Sequence, residues 1–185
     1  MDNEISDENL MLSYSRGDAG AFEALYQKYR GPLYRFILRQ CQHDCADELY
    51  QDIWLKVINS RLSYKVTATF RTWLYQIARN RIIDHYRRQK IRPVGNPADT
   101  LSAISSSERL QPEQQLEASK QQELLIAALE ALPQDQREAF LLKEEAGLSL
   151  EEIAATTGVS YEAAKSRLRY ACSKLKKQLE TIHEQ

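Results

Sequence analysis

Hydrophobic residues recur at helical spacing along almost the whole chain. Phe22, Leu25, Tyr26, Tyr29, Leu33, Phe36 and Ile37 share one helical face. Leu49, Tyr50, Ile53, Trp54, Val57 and Ile58 form a second stripe, and Phe70, Trp73, Leu74, Ile77, Ala78, Ile82 and Tyr86 a third. Towards the C-terminus Leu125, Leu129 and Leu132 face inwards on one element. Ala139, Phe140 and Leu142 do so on the next, and Leu150, Ile153 and Ala154 on a third. A long final stripe holds Tyr161, Ala164, Leu168, Ala171, Cys172, Leu175, Leu179 and Ile182. A short helix from about Glu8 to Ser15 precedes all of these and ends in an Arg16-Gly17-Asp18 turn. Strand-like alternation is scarce and glycines number only six, so the pattern predicts an all-α chain. Gly31-Pro32 lies inside the first long stripe and predicts a kink or a restart.

The punctuation divides these helices into two small domains. Pro93, Gly95, Pro97 and Pro112 interrupt a serine-rich stretch, which marks residues 93–115 as a linker between domains at 1–92 and 116–185. Ser60 to Thr69 is a polar loop inside the first domain, and Pro133 ends the helix begun near Leu116 and starts the next.

Local chemistry is most specific near the C-terminus. Ser149 with Glu152 three residues on forms a capping box. Gly158 can take the positive φ of a sharp inter-helix turn, and Ser160 can cap the next helix. Opposite the final apolar stripe stand Glu162, Lys165, Ser166, Arg169, Ser173 and Lys176. Lys165 to Lys177 holds six Lys or Arg and no acid. An apolar face and a basic face on a helix that follows a glycine turn match the second helix of a helix-turn-helix, with base edges read by its N-terminal half. A solvated basic face on a packing helix explains the charge alone, but not the turn chemistry.

Composition adds segregation of charge. The 185 residues are 43% hydrophobic and 28% charged, with a formal net charge of −1. No overall basic excess announces a nucleic-acid partner, yet the charge is gathered in blocks. Arg79 to Arg92 carries six bases against one acid, with Trp73, Tyr75 and Tyr86 interleaved. Arg79, Asn80, Ile83, Asp84 and Arg87 fall on or beside one face there. Such a face suits a backbone-tracking groove with stacking platforms for unpaired bases, although Trp73 reads first as a core anchor. Asp47, Glu48, Gln51, Asp52 and Leu55 lie off the second stripe. Docking on a basic partner is the first reading of that acidic face, the helix dipole the second, and Mg²⁺-binding carboxylates a distant third. Cys41-Gln-His43-Asp-Cys45 lacks a nearby fourth ligand for zinc, and Cys172 reads as core. No metal, cofactor or catalytic constellation emerges, so the chain does not read as an enzyme. The acidic N-terminus is unlike a signal peptide and no apolar run is long enough to span a bilayer. Cytoplasm is the default and direct membrane insertion is not expected.

With these residues in view, the chain resembles a bacterial sigma factor of the sigma-70 family, in its extracytoplasmic-function (ECF) group. CADELYQDIWL (Cys45 to Leu55) is similar to the DAEDLVQEVFL signature of sigma region 2.2, with Cys45 in place of the first acid. FRTWLYQIARN (Phe70 to Asn80) resembles the start of regions 2.3 and 2.4. ALPQDQREAFLL (Ala131 to Leu142), GLSLEEIA (Gly147 to Ala154) and KSRL (Lys165 to Leu168) resemble region 4. The resemblance implies two helical domains, sigma region 2 and sigma region 4, that bind core RNA polymerase and direct it to promoters. Asp47, Glu48, Leu49, Gln51, Asp52 and Trp54 would then dock on the polymerase clamp helices. Arg79, Asn80, Ile83, Asp84 and Arg87 would read and help unpair the −10 element. Region 4 would bind the polymerase flap and read the −35 element with Ser160, Glu162, Lys165, Ser166, Arg169 and Tyr170. Tyr161 and Glu162 stand where the family often has small or apolar residues, which would alter −35 preference. An anti-sigma factor is a further partner that the resemblance implies. The competing reading is a dimeric helix-turn-helix regulator that reads palindromic half-sites.

Overall fold

Ser6 opens the first helix, its hydroxyl accepting a hydrogen bond from the Asn9 N–H at 3.3 Å, while Asp7 and Glu8 complement the helix dipole. The computed structural model describes residues 5–41, 43–91 and 123–183. Helix α1 (Asp7–Ser15) ends at the predicted turn, where Gly17 takes a φ of +106°. Asp18 then caps α2 (Ala19–Gln40) by accepting from the Ala21 N–H.

The helix does not restart at Gly31-Pro32: α2 is one helix with Pro32 inside it. A proline in a helix interior costs about 3 kcal/mol or more. Burial of Leu25 and Tyr29 before it, and of Leu33, Phe36 and Ile37 after it, offsets that cost. Helix α3 (His43–Asn59) follows, then a single 3₁₀ turn (Arg61–Ser63) and α4 (Phe70–Ile91). The start of α4 is tied down twice. The Thr69 hydroxyl accepts from the Thr72 N–H at 3.2 Å, and the Glu8 carboxylate of α1 accepts from the Phe70 N–H at 2.6 Å.

The loop before α4 is less polar than its sequence suggests. Tyr64 is buried in it, edge-on to Trp73 with ring centroids 4.9 Å apart. Burial, with the charges of Glu8 and Asp7 nearby, pushes its phenol up to about 12. Aromatic packing continues behind α3, where Trp54 meets Phe22 and Tyr26.

The C-terminal domain comprises α5 (residues 123–130), α6 (Gln134–Glu144), α7 (Leu150–Thr157) and α8 (Tyr161–His183). Pro133 sits at the N-cap of α6, as its spacing predicted. The predicted linker, 93–115, and residues 116–122 lie outside the described residues. Every regular element among the described residues is helical, so the chain is all-α. Helix α8 packs against both α6 and α7, and α6 also touches α7. The two domains also touch, α2 against α6 and α4 against α7.

Candidate nucleic-acid interface

The turn between α7 and α8 is built as its residues dictate. The Ser149 hydroxyl accepts from the Glu152 N–H at 3.2 Å and the Glu152 carboxylate accepts from the Ser149 N–H at 2.9 Å, closing the capping box. Gly158 ends α7 at φ +70°, and the N–H groups of Gly158 and Val159 both reach the Ala154 carbonyl. Ser160 caps α8 by accepting from the Ala163 N–H at 3.2 Å.

Helix α8 turns Ala164, Ala171 and Leu175 inwards, with Leu168 half-buried. Two residues of its predicted stripe face solvent instead: Tyr161 is 41% exposed and Cys172 is also exposed. The apolar face is narrower than the sequence suggested, with Ala164, Ala171 and Leu175 buried along it. Glu162, Lys165, Arg169 and Tyr170 are exposed together near the start of the helix, and Ser166 is half-buried beside them. Lys165 lies over the Tyr161 ring and Arg169 over the Tyr170 ring, 6.0 and 5.2 Å from the centroids. Arg167, by contrast, points back and pairs with Asp135 of α6 at 2.7 Å. The face is thus basic and aromatic, and it lies at the end of a helix aimed by a fixed turn.

A second face lies on the N-terminal domain. Asn80 and Arg87 are exposed on α4, Ile83 and Asp84 are half-buried, and Arg79 turns towards Glu138 of α6, Nε to Oε1 3.0 Å. Beside this face is an open hollow of about 260 Å³ lined by Lys56, Ser60, Ser63, Tyr64, Lys65, Thr67, Trp73 and Ile77. Its two lysines and Tyr64 were missed in the sequence because the loop read as plainly polar. The pairing of Lys56 and Lys65 with two aromatics was the available signal.

On α3, Asp47, Glu48 and Gln51 are exposed, Asp52 is half-exposed, and Leu55 shows 54% of its surface. The Tyr34 hydroxyl donates to Asp47 at 2.9 Å, a bond that, with burial, raises the Tyr34 phenol above its ordinary value. Leu49 and Trp54 are buried, 4% and 5% exposed, and so support this face from beneath. Cys41 and Cys45 are buried, and the Cys41 thiol donates to the Ile37 carbonyl. Among the described residues no group of three or more His, Cys, Asp or Glu is placed to hold a metal ion. No described helix is long and apolar enough to cross a membrane.

The model of sigma-70 region 2 matches residues 25–91, and that of sigma-70 region 4 matches residues 122–175. Over 172 residues the chain is 31% identical to the RNA polymerase sigma factor YlaC of Bacillus subtilis, covering 89% of this chain and 95% of that one. This chain belongs to the ECF group of the sigma-70 family. It is also 27% identical over 174 residues, 91% of both chains, to the ECF RNA polymerase sigma-E factor of Escherichia coli K12. Two solved structures share the fold. One is CnrH in complex with the cytosolic domain of CnrY, at TM-score 0.68 and 22% identity, covering 95% of this chain and 97% of that one. The other is the sigma factor RpoE in complex with the anti-sigma factor NepR from Bartonella quintana, at TM-score 0.64 and 24% identity, covering 86% and 96%. Within this sigma factor, α3 and α4 belong to region 2, and α6, α7 and most of α8 to region 4. Members of the family are DNA-binding initiation factors rather than enzymes.

Proposed function

We propose that this sigma factor binds core RNA polymerase in the cytoplasm through the acidic face of α3, and that it carries the enzyme to promoters with a −10 and a −35 element. The observation that carries the reading is the pair of basic, aromatic faces on separate domains, α4 with its hollow and α8 with its Gly158 turn. Asp47, Glu48, Gln51 and Asp52 meet the polymerase clamp helices, with the exposed Leu55 adding apolar contact, while Leu49 and Trp54 hold the helix in place. Asn80, Ile83, Asp84 and Arg87, joined by Arg79, read the −10 element. An unpaired base enters the hollow against Trp73, where stacking is worth roughly 1–3 kcal/mol per base. Ser160, Glu162, Lys165, Ser166, Arg169 and Tyr170 read the −35 element in the major groove. Region 4 also meets the polymerase flap. An anti-sigma partner fits the same reading, and the RpoE–NepR complex on this fold lends it support.

Two modest contacts on one tether act through effective concentration, so the free chain need not bind duplex DNA tightly. Footprinting of a promoter by core polymerase, with and without the chain, tests the assignment. Protection of two separated, asymmetric blocks only when both are present is the expected result. Protection of a palindrome by the chain alone would favour a dimeric regulator instead.

A further inference from the structure

The loop that walls the hollow holds itself poorly. Between Ser60 and Thr69 only Tyr64 is buried, and the apolar Leu62 and Val66 face solvent at 79% and 53% exposure. A segment with so little burial sits at the low end of local stability. Its ties come from α1, a helix that precedes the matched region 2 and lines none of the hollow.

Helix α1 touches both the 3₁₀ turn that opens the loop and the start of α4 that closes it. At the closing end, the Glu8 carboxylate accepts from the Phe70 N–H. The first turn of α4 carries no acid of its own, so the carboxylate that complements its dipole comes from 62 residues away in the chain. Phe70 is fully buried, with the Tyr64 and Trp73 rings 6.4 and 5.7 Å from its own. A shift of Phe70 therefore moves two walls of the hollow. At the opening end, the Arg61 guanidinium lies over the Tyr14 ring, 5.9 Å from its centroid, and Arg61 adjoins Ser60, which lines the hollow. Helix α1 is itself fixed: Met11 is fully buried, and Asp7 pairs with Lys28 of α2 at 2.8 Å and accepts from the Tyr29 hydroxyl.

We propose that Glu8 and Tyr14 are positioning residues for the −10 reading head, holding the two ends of the Ser60–Thr69 loop so that the hollow keeps the shape an unpaired base enters. The positioning role rests on the assignment of the hollow to an unpaired base; the hold on the loop does not. Losing a helix cap shifts a local equilibrium by roughly two- to thirtyfold. Apparent affinity then falls with the fraction of chains whose loop is in place.

The test uses the full chain, free and as holoenzyme with core polymerase, in five forms: wild type, Glu8→Ala, Glu8→Gln, Tyr14→Leu and Asp18→Ala. Glu8→Gln keeps an acceptor oxygen for the Phe70 N–H. Tyr14→Leu cuts the other tie and leaves α4 capped, which guards against a folding failure of Glu8→Ala. Asp18→Ala loses the same charge and a capping bond at the start of α2 instead. Hydrogen exchange of the free chains reads the amides of residues 60–70, and circular dichroism confirms the helices. The holoenzymes are titrated with an A/T-rich single strand carrying 2-aminopurine, whose emission falls when the base stacks; anisotropy gives the affinity.

The expected result for Glu8→Ala and Tyr14→Leu is faster exchange in the loop, strand binding weaker by about threefold or more, and a smaller loss of 2-aminopurine emission. Glu8→Gln should recover most of the binding, and Asp18→Ala should match wild type. Loop exchange unchanged in both Glu8→Ala and Tyr14→Leu overturns the hold. Faster exchange with unchanged strand affinity overturns the positioning role, as does equal weakening by Asp18→Ala, which would mark a general loss of stability. Failure of the hollow assignment looks different: the wild-type holoenzyme takes the strand without any fall in 2-aminopurine emission, or does not take it, and the positioning role falls while the hold on the loop stands.

Discussion

Gly158→Ala is the substitution that most directly probes how α8 is aimed. Gly158 sits at φ +70°, ψ +33°, and its N–H, with that of Val159, satisfies the Ala154 carbonyl at the end of α7. A Cβ at this position would meet nothing within 4 Å, so crowding contributes nothing to the effect. The remaining contribution is the cost of the left-handed conformation for an L-residue, about 1–2 kcal/mol. For a chain of this size a loss of 1 kcal/mol lowers Tm by about 2–4 °C, so the full chain should melt roughly 2–8 °C lower. Asparagine tolerates this region better than alanine does, and Gly158→Asn should recover much of the loss. Thermal unfolding followed by circular dichroism gives the Tm values, and a −35 duplex titration reports whether α8 keeps its aim. Equal stability of Gly158→Ala and wild type, or an asparagine variant no better than alanine, would refute the reasoning, because the strain would then not lie in the backbone.

Three further substitutions separate the faces. Asp52→Lys should weaken capture by core polymerase in a pull-down while leaving the circular dichroism spectrum unchanged; unchanged capture removes Asp52 from the docking face. Arg169→Ala should cost about 1–3 kcal/mol of −35 recognition if its guanidinium reads a base edge, measured as lost discrimination between a wild-type and a scrambled −35 duplex. Glu152→Gln should flatten the acid limb of the stability curve. Burial pushes the Glu152 carboxyl up, but bonds from the Ser149 N–H and the Thr72 and Thr69 hydroxyls, with the charge of Arg71, outweigh it and hold the group below its ordinary 4.5. A carboxyl depressed in the folded state contributes stability above about pH 4.5 and loses it as pH falls through the lower folded value. Urea melts of both proteins at pH 7 and in the acid range read the difference, and a slope identical to wild type below pH 4.5 would contradict it.

The helices were legible in the sequence because their apolar stripes run long and their caps are local. Ser149 with Glu152, Gly158 and Ser160 act within a few residues of themselves, so the sequence sufficed to place the turn that aims α8. At Pro32 the helix continues rather than restarts because the penalty is local, whereas the burial that outweighs it comes from tertiary packing of α2. Tyr161 and Cys172 misled because periodicity gives a direction but not the width of the buried face. Leu49 and Trp54 lie within a docking signature yet also on the apolar stripe, and the stripe decides: both are buried, Trp54 against Phe22 and Tyr26. Least legible was the contact between the domains. Glu138, Glu145 and Glu152 lie far along the chain from Arg79, Arg35 and Thr72, and no spacing rule pairs residues at that separation.

Run-off transcription on a pool of promoter fragments, with core polymerase alone and with the chain added, addresses the sigma-factor account most directly. Discrete new transcripts are expected, whose start sites share upstream −10 and −35 sequences and which fade when Asp52→Lys or Arg169→Ala replaces the wild-type chain. No new transcript, together with no retention of the chain on core polymerase, would contradict it.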